Sequence, residues 1–157
     1  MFEFRKILKT LVEQDVDFIL VGGLAGVLQG APVNTKDVNI LYSLAPPNPE
    51  RLLGALVKLG AKFRGDPRNL APNLSHLNSK GHKLLATSFG DLDCLGTIED
   101  ATTYEDILPD VDEMILDDAT ILVISLPRLI EVKKKLTRPK DQVALVQLEA
   151  TLDERSR

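Results

Sequence analysis

The sequence predicts a single α+β domain in which helices are layered on a sheet, and three observations carry the prediction. Helix-like and strand-like patterns are intermixed along the chain, strand pairs fall late, and no linker or internal repeat divides it. At 157 residues the chain lies in the range of one domain and is long enough to bury a sizeable core. Its 44% hydrophobic and 27% charged content is that of an ordinary soluble globular protein. The expected domain runs from Met1 to Leu152, with Asp153 to Arg157 frayed.

Each element has a local reason. From Glu3 to Glu13, Phe4, Ile7, Leu8 and Leu11 recur at helical spacing and give a first helix with one apolar stripe. VDFILV (Val16 to Val21) is short, apolar and β-branched, and ends at Gly22-Gly23, so it reads as a buried strand. Leu24 to Gln29 makes a short helix closed by Gly30, and DVNILYS follows as a second strand. Beyond Pro46-Pro47, Asn48 to Leu59 reads as a helix that buries Leu52, Leu53, Leu56 and Val57 and is capped by Gly60. Arg64 to Lys80, rich in Asn, Pro and Ser, is the expected long loop. His82 to Ser88 pairs with Asp91 to Leu95 around Phe89-Gly90, and Asp112 to Leu116 pairs with Thr120 to Ser125 around Asp117-Asp118. Two helices, Leu126 to Leu136 and Asp141 to Leu152, end the chain, separated by Pro139.

Composition excludes several classes of function. The longest apolar stretch, Phe18 to Leu28, contains three glycines and falls short of the ~20 residues a membrane helix needs. Met1 is followed at once by the amphipathic FEFRKILKTLVEQ, which has no secretory h-region, so the expected compartment is cytoplasmic, with no membrane partner. Cys94 is the one cysteine, which rules out an internal disulfide and points to a buried structural thiol. The net charge of −4 argues against strong non-specific binding to nucleic acid, although Arg128 to Lys140 concentrates Arg128, Lys133, Lys134, Lys135, Arg138 and Lys140. No aromatic residue interleaves that stretch to stack bases, so a solvated helix face is its default reading and an RNA contact the weaker one.

The residues that could carry chemistry are few. Paired glycines at Gly22-Gly23 serve either a tight strand-to-helix turn or the approach of a phosphate to backbone N–H groups at a helix start. GGLAG lacks the G-x-G-x-x-G spacing of a dinucleotide site, and Asp37 begins the next strand rather than ending it. Side chains two apart on a strand share a face, so Asp37 and Asn39 project together, as do Asp91 and Asp93. Oxygen ligands of this kind suit Mg²⁺, although solvation explains Asp91 at least as well. Leu92 and Cys94 should face the opposite layer, which leaves Asp93 as an acid in a largely covered strand. In the last two helices, Lys133 falls within the stripe Leu126, Leu129 and Ile130, and Asp141 within the stripe Leu145, Leu148 and Leu152. Both are aimed inward, for a structural Lys133–Asp141 pair, for phosphate binding, or for both. His76 and His82 stand without partners at ligand spacing.

With these residues in view, VGGLAGVLQGAPVNTKDVNIL (Val21 to Leu41) resembles the first motif of the nucleotidyltransferase superfamily, the DNA polymerase β-like fold, in its form G-G-x-A followed by T-x-D-x-D. It is most similar to small bacterial nucleotidyltransferase-like proteins related to AbiEii-type toxins. GDLDCLG looks like the strand of the third carboxylate, placed at Asp93 with Asp91 the other choice, and LIEVKKKLTRPKD resembles a helix lysine followed by R-x-K-D. The resemblance spans about Val16 to Asp141 and implies a mixed β-sheet packed against helices, with two C-terminal helices. It implies a nucleoside triphosphate held by Gly22, Gly23, Thr35, Lys133, Arg138 and Lys140, and Mg²⁺, or Mn²⁺, on Asp37, Asn39 and Asp93. Asp37 and Asp93 would be the catalytic acids. The reaction implied is transfer of a nucleoside monophosphate to an acceptor hydroxyl of RNA, protein or a small molecule, with a cognate protein partner also implied.

The motif departs from the pattern at two positions. Asn39 stands where a second carboxylate is expected, and Gln29 where the small relatives commonly carry His. An amide oxygen can ligate Mg²⁺ but carries no formal charge and bridges two ions poorly. Two functions therefore compete: a nucleotidyltransferase weakened at Asn39, or a non-catalytic nucleotide-binding or protein-interaction module that keeps the fold.

Overall fold

The computed structural model describes residues 2–157; Met1, which the expected domain includes, lies outside them. Helix α1 (Phe4–Glu13) buries Ile7, Leu8 and Leu11, and strand β1 (Phe18–Val21) is buried at every residue. Then come α2 (Gly22–Leu28), β2 (Asp37–Tyr42), α3 (Asn48–Lys58), β3 (Lys62–Phe63), α4 (Leu74–Leu77), β4 (His82–Thr87) and β5 (Gly90–Leu95). A short α5 (Tyr104–Ile107) leads through a tight turn to β6 (Val111–Leu116), β7 (Ala119–Ile124), α6 (Leu126–Lys134) and α7 (Pro139–Arg155).

The strands form one seven-stranded sheet in the order β3-β4-β5-β2-β1-β7-β6. It is mixed: β2 runs parallel to β5 and β1 parallel to β7, while the remaining neighbours are antiparallel. This is the α+β architecture the sequence predicts. The centre of the sheet is dry, with Ile19, Leu20, Val38, Ile40, Leu92, Cys94 and Val123 each at most 0% exposed. Complete burial of one such aliphatic side chain contributes about 1.5–3 kcal/mol, so the site-bearing strands β2 and β5 are anchored by their other faces. Val38, Ile40 and Tyr42 share one face of β2, where the Tyr42 hydroxyl donates to the Leu77 carbonyl at 2.7 Å; Asp37 and Asn39 lie on the other.

Several boundaries differ from the sequence reading. The helix after β1 starts at Gly22, not Leu24, so the two glycines form its first turn. Val57 is 73% exposed; the buried face of α3 is Leu52, Ala55 and Leu56, because the helical stripe steps through Leu52 by three and four. The expected loop Arg64 to Lys80 contains α4, which Asn73 starts by accepting from the His76 N–H while its own N–H donates to His76 Nδ1. Thr103 and Asp106 cap α5 in the same reciprocal way. Pro139 does not separate the last helices but opens α7, where its missing N–H costs no hydrogen bond, and α7 continues past Leu152 to Arg155. No helix among the described residues is long and apolar enough to cross a membrane.

Candidate active site

Strands β2 and β5 are parallel and in register, with Asp37 opposite Asp91 and Asn39 opposite Asp93. Alternation puts these four side chains on one face of two adjacent strands, about 4.8 Å apart. They line a cleft of about 470 Å³, closed on its other sides by Gly22, Gly23 and Gly26 of α2, the segment Val33 to Lys36, Lys133 of α6, and Arg138, Lys140 and Asp141 at the start of α7. Every residue that the resemblance assigned to nucleotide or metal lines this one cleft: Gly22, Gly23, Thr35, Asp37, Asn39, Asp93, Lys133, Arg138 and Lys140. Residues 22 and 140 are brought together by the sheet, since β7 lies beside β1 and delivers α6 and α7 back over α2.

The glycine pair has a packing reason. Gly22 has φ +74°, and a Cβ there would overlap the Asn39 amide; one on Gly23 would lie 3.0 Å from Thr35 Oγ1. The turn is thereby pressed onto the start of β2, and the Thr35 hydroxyl donates to the Asp37 carbonyl at 3.2 Å. Asn39 Oδ1 is buried and is the one such side-chain atom among the described residues with no hydrogen-bond partner. A buried amide oxygen in that condition is costly unless a donor or cation meets it.

Charge in the cleft is paired unevenly. Asp93 is largely covered, its side chain 15% exposed against 42% for Asp91. Burial pushes its carboxyl up, Arg64 partly offsets this and the Asp37 charge adds to it, so that Asp93 sits at about 6. Arg64, which no sequence motif singled out, spans both acids: Nη1 donates to Asp91 at 3.2 Å and Nη2 to Asp93 Oδ1. Across the cleft, fully buried Asp141 accepts from Lys133 Nζ at 3.1 Å and Arg138 Nε at 2.8 Å. Burial works against its ionisation, but the hydrogen bonds from Arg138 and Lys133 prevail and hold its carboxyl below the usual range. Lys36, also absent from the sequence-based set, lines the cleft as an exposed cation.

One of the two departing residues of the motif falls outside the cleft. Gln29 is buried and ties α2 to the sheet and to the end of α7: its Nε2 donates to Asp112 at 2.9 Å and to the Ile124 carbonyl at 3.0 Å, and Arg155 donates to its Oε1 at 3.0 Å. Much of the basic stretch is paired internally, although Lys134, Lys135, Arg138 and Lys140 are exposed. Arg128 and Lys135 both pair with the nearly buried Glu99, and Lys133 and Arg138 with Asp141.

Mg²⁺ takes oxygen ligands, commonly one or two carboxylates completed by water and substrate phosphates. Asp37, Asp93 and the unsatisfied Asn39 oxygen fit one such ion. Among the described residues no group of three or more acids, histidines or cysteines is spaced to hold a metal, so the Asn39 amide oxygen would be needed as the third protein ligand.

No family model matches the sequence, and no curated protein matches it. Solved structures do. The lincosamide antibiotic adenylyltransferase LnuA, bound to lincomycin, is similar over 94% of this chain and 95% of its own, at a TM-score of 0.65 and 17% identity. The antibiotic-resistance factor ANT(2'')-Ia, in complex with adenylyl-2''-tobramycin, is similar over 98% and 89% at a TM-score of 0.61 and 14% identity. A candidate nucleotidyltransferase from Thermotoga maritima, TM1012, is similar over 98% and 91% at a TM-score of 0.58 and 18% identity. The chain has the nucleotidyltransferase fold.

Proposed function

We propose that the protein is a nucleotidyltransferase that moves a nucleoside monophosphate, an adenylyl group by analogy with LnuA and ANT(2'')-Ia, from a triphosphate to an acceptor hydroxyl. The observation that carries the reading is the convergence of Gly22, Gly23, Thr35, Asp37, Asn39, Asp93, Lys133, Arg138 and Lys140 on one cleft of this fold. Lys36 and Lys140 offer exposed positive charge to the phosphates, and the narrow turn at Gly22-Gly23 lets them approach the backbone. The acceptor oxygen forms a bond to the α-phosphorus as the bond between that phosphorus and the bridging oxygen breaks, and pyrophosphate leaves. The acceptor proton passes to a carboxylate of the cleft as that bond forms. A divalent cation on Asp37, Asn39 and Asp93 would supply charge neutralisation for the triphosphate. Neighbours that carry lincomycin or an adenylylated tobramycin favour a small hydroxylated acceptor over RNA or protein.

The test is incorporation of α-labelled ATP into candidate acceptors with Mg²⁺ or Mn²⁺, expected to be slow in the native protein, abolished in Asp37→Ala and raised in Asn39→Asp. No incorporation into any acceptor, and no gain in Asn39→Asp, would sink it. A second reading rests on the internal pairing of the site's charges, Arg64 with Asp91 and Asp93, and Lys133 and Arg138 with Asp141. It makes the protein a nucleotide-binding or protein-interaction module without turnover, and any acceptor turned over by the native protein removes it.

A further inference from the structure

Arg64 follows β3 directly, and its position is fixed by the sheet rather than by the loop that begins there. Its backbone N–H donates to the Leu84 carbonyl at 2.9 Å, and Leu84 stands opposite Asp93 in the β4–β5 ladder. The guanidinium therefore reaches the carboxylates over a short tether. Its side chain is 31% exposed, and one nitrogen goes to each of Asp91 and Asp93, so that a single positive charge spans both acids.

We propose that Arg64 is the second cation of this site: its guanidinium, bound to Asp91 and Asp93, takes the place of a second divalent ion, so the cleft takes one divalent cation and not two. The charge count agrees. Asp37, Asp91 and Asp93 carry three negative charges; Arg64 removes one, and a single divalent ion neutralises the rest. With Asp at position 39 there would be one charge more, and with no arginine a second ion would be called for. Asn39 thus reads as one half of a paired adjustment of which Arg64 is the other half. Of the remaining cations that line the cleft, Lys133 and Arg138 are held by Asp141, and Lys36 and Lys140 pair with none of these three acids among the described residues. Arg64 uses Oδ1 of Asp93 and leaves its second oxygen for the ion that Asp37 and the unsatisfied Asn39 oxygen would share.

The proposal rests on the nucleotidyltransferase reading for its catalytic meaning, but its test needs no nucleotide and no acceptor. Mn²⁺ alone is titrated into the full chain and free ion is followed by electron paramagnetic resonance. The native protein is expected to bind one Mn²⁺, Arg64→Gln to bind two, and Arg64→Lys, which keeps the charge, to return to one. Asn39→Asp combined with Arg64→Gln should hold the second ion at least about tenfold more tightly than Arg64→Gln alone, the scale of one charge-assisted contact. Two ions on the native protein, one or none on Arg64→Gln, or two on Arg64→Lys would each overturn it. A protein that shows the expected ion counts but transfers no nucleotide would refute the proposed activity and leave the role of Arg64 standing.

Discussion

Asp141 is the acid on which the basic wall of the cleft depends, and its replacement by Asn is a quantitative test of that arrangement. The side chain has 0% exposure and receives hydrogen bonds from Lys133 at 3.1 Å and Arg138 at 2.8 Å. Removing one partner of a buried ion pair costs ~3–5 kcal/mol, because the other charge is left without compensation. Here the loss is smaller. Arg138 is 62% exposed and can return to water, and the amide oxygen of Asn still accepts one bond, whereas Lys133, at 17%, has little alternative. About 2–3 kcal/mol is expected, a fall of about 4–12 °C in Tm for a chain of this size. Urea unfolding at neutral pH measures it directly. The pH dependence supplies the sign. Because the Asp141 carboxyl is held below 3.8, its contribution is fully present above that value and is lost as pH falls through the lowered one. The gap between native protein and Asp141→Asn should therefore be full at pH 6–7 and close only in strong acid. Equal stability at neutral pH would refute the claim that Asp141 holds the two cations.

Glu99 makes a second acid-sensitive contribution. Arg128 hydrogen bonds hold its carboxyl down, burial opposes them, and Lys135 helps, so it lies at about 2 instead of 4.5. Glu99→Gln should cost about 2–3 kcal/mol at neutral pH, with the difference fading between pH 4.5 and 2; a constant difference across that range would contradict the assignment. Gly22→Ala forces a Cβ into the Asn39 amide at φ +74° and is expected to cost about 1–3 kcal/mol in thermal unfolding. An unchanged Tm would mean that the turn does not press on Asn39.

Sequence legibility follows where the determinants are local. The strand ending at Gly22-Gly23, the Asp37-x-Asn39 alternation and the inward stripe of Lys133 all follow from spacings of two, three or four residues, and all appear in the structure. The pairing of Lys133 with Asp141 was legible because both fall on apolar stripes of adjacent helices. Arg64 was not. It lies in a segment whose Asn, Pro and Ser content reads as loop, and only the register of β3 on β4 and β4 on β5 carries it to Asp93. The role of Gln29 was hidden for a related reason. Gln29 closes the far end of the seven-residue α2 and meets Asp112 and Arg155 from distant parts of the chain, contacts that no local spacing announces. The four-residue α4 rests on the Asn73–His76 cap and the buried Leu77, whose carbonyl accepts from the Tyr42 hydroxyl, and neither has a periodicity to detect.

The most direct test of the cleft as a nucleotide site is isothermal calorimetry of ATP with the native protein and with Asp37→Ala, each with and without Mg²⁺. Binding that requires the cation and is lost in Asp37→Ala is the expected result. Metal-independent binding of the same affinity in both proteins, or no binding to either, would contradict a site in which Asp37, Asn39 and Asp93 present a divalent ion to the triphosphate.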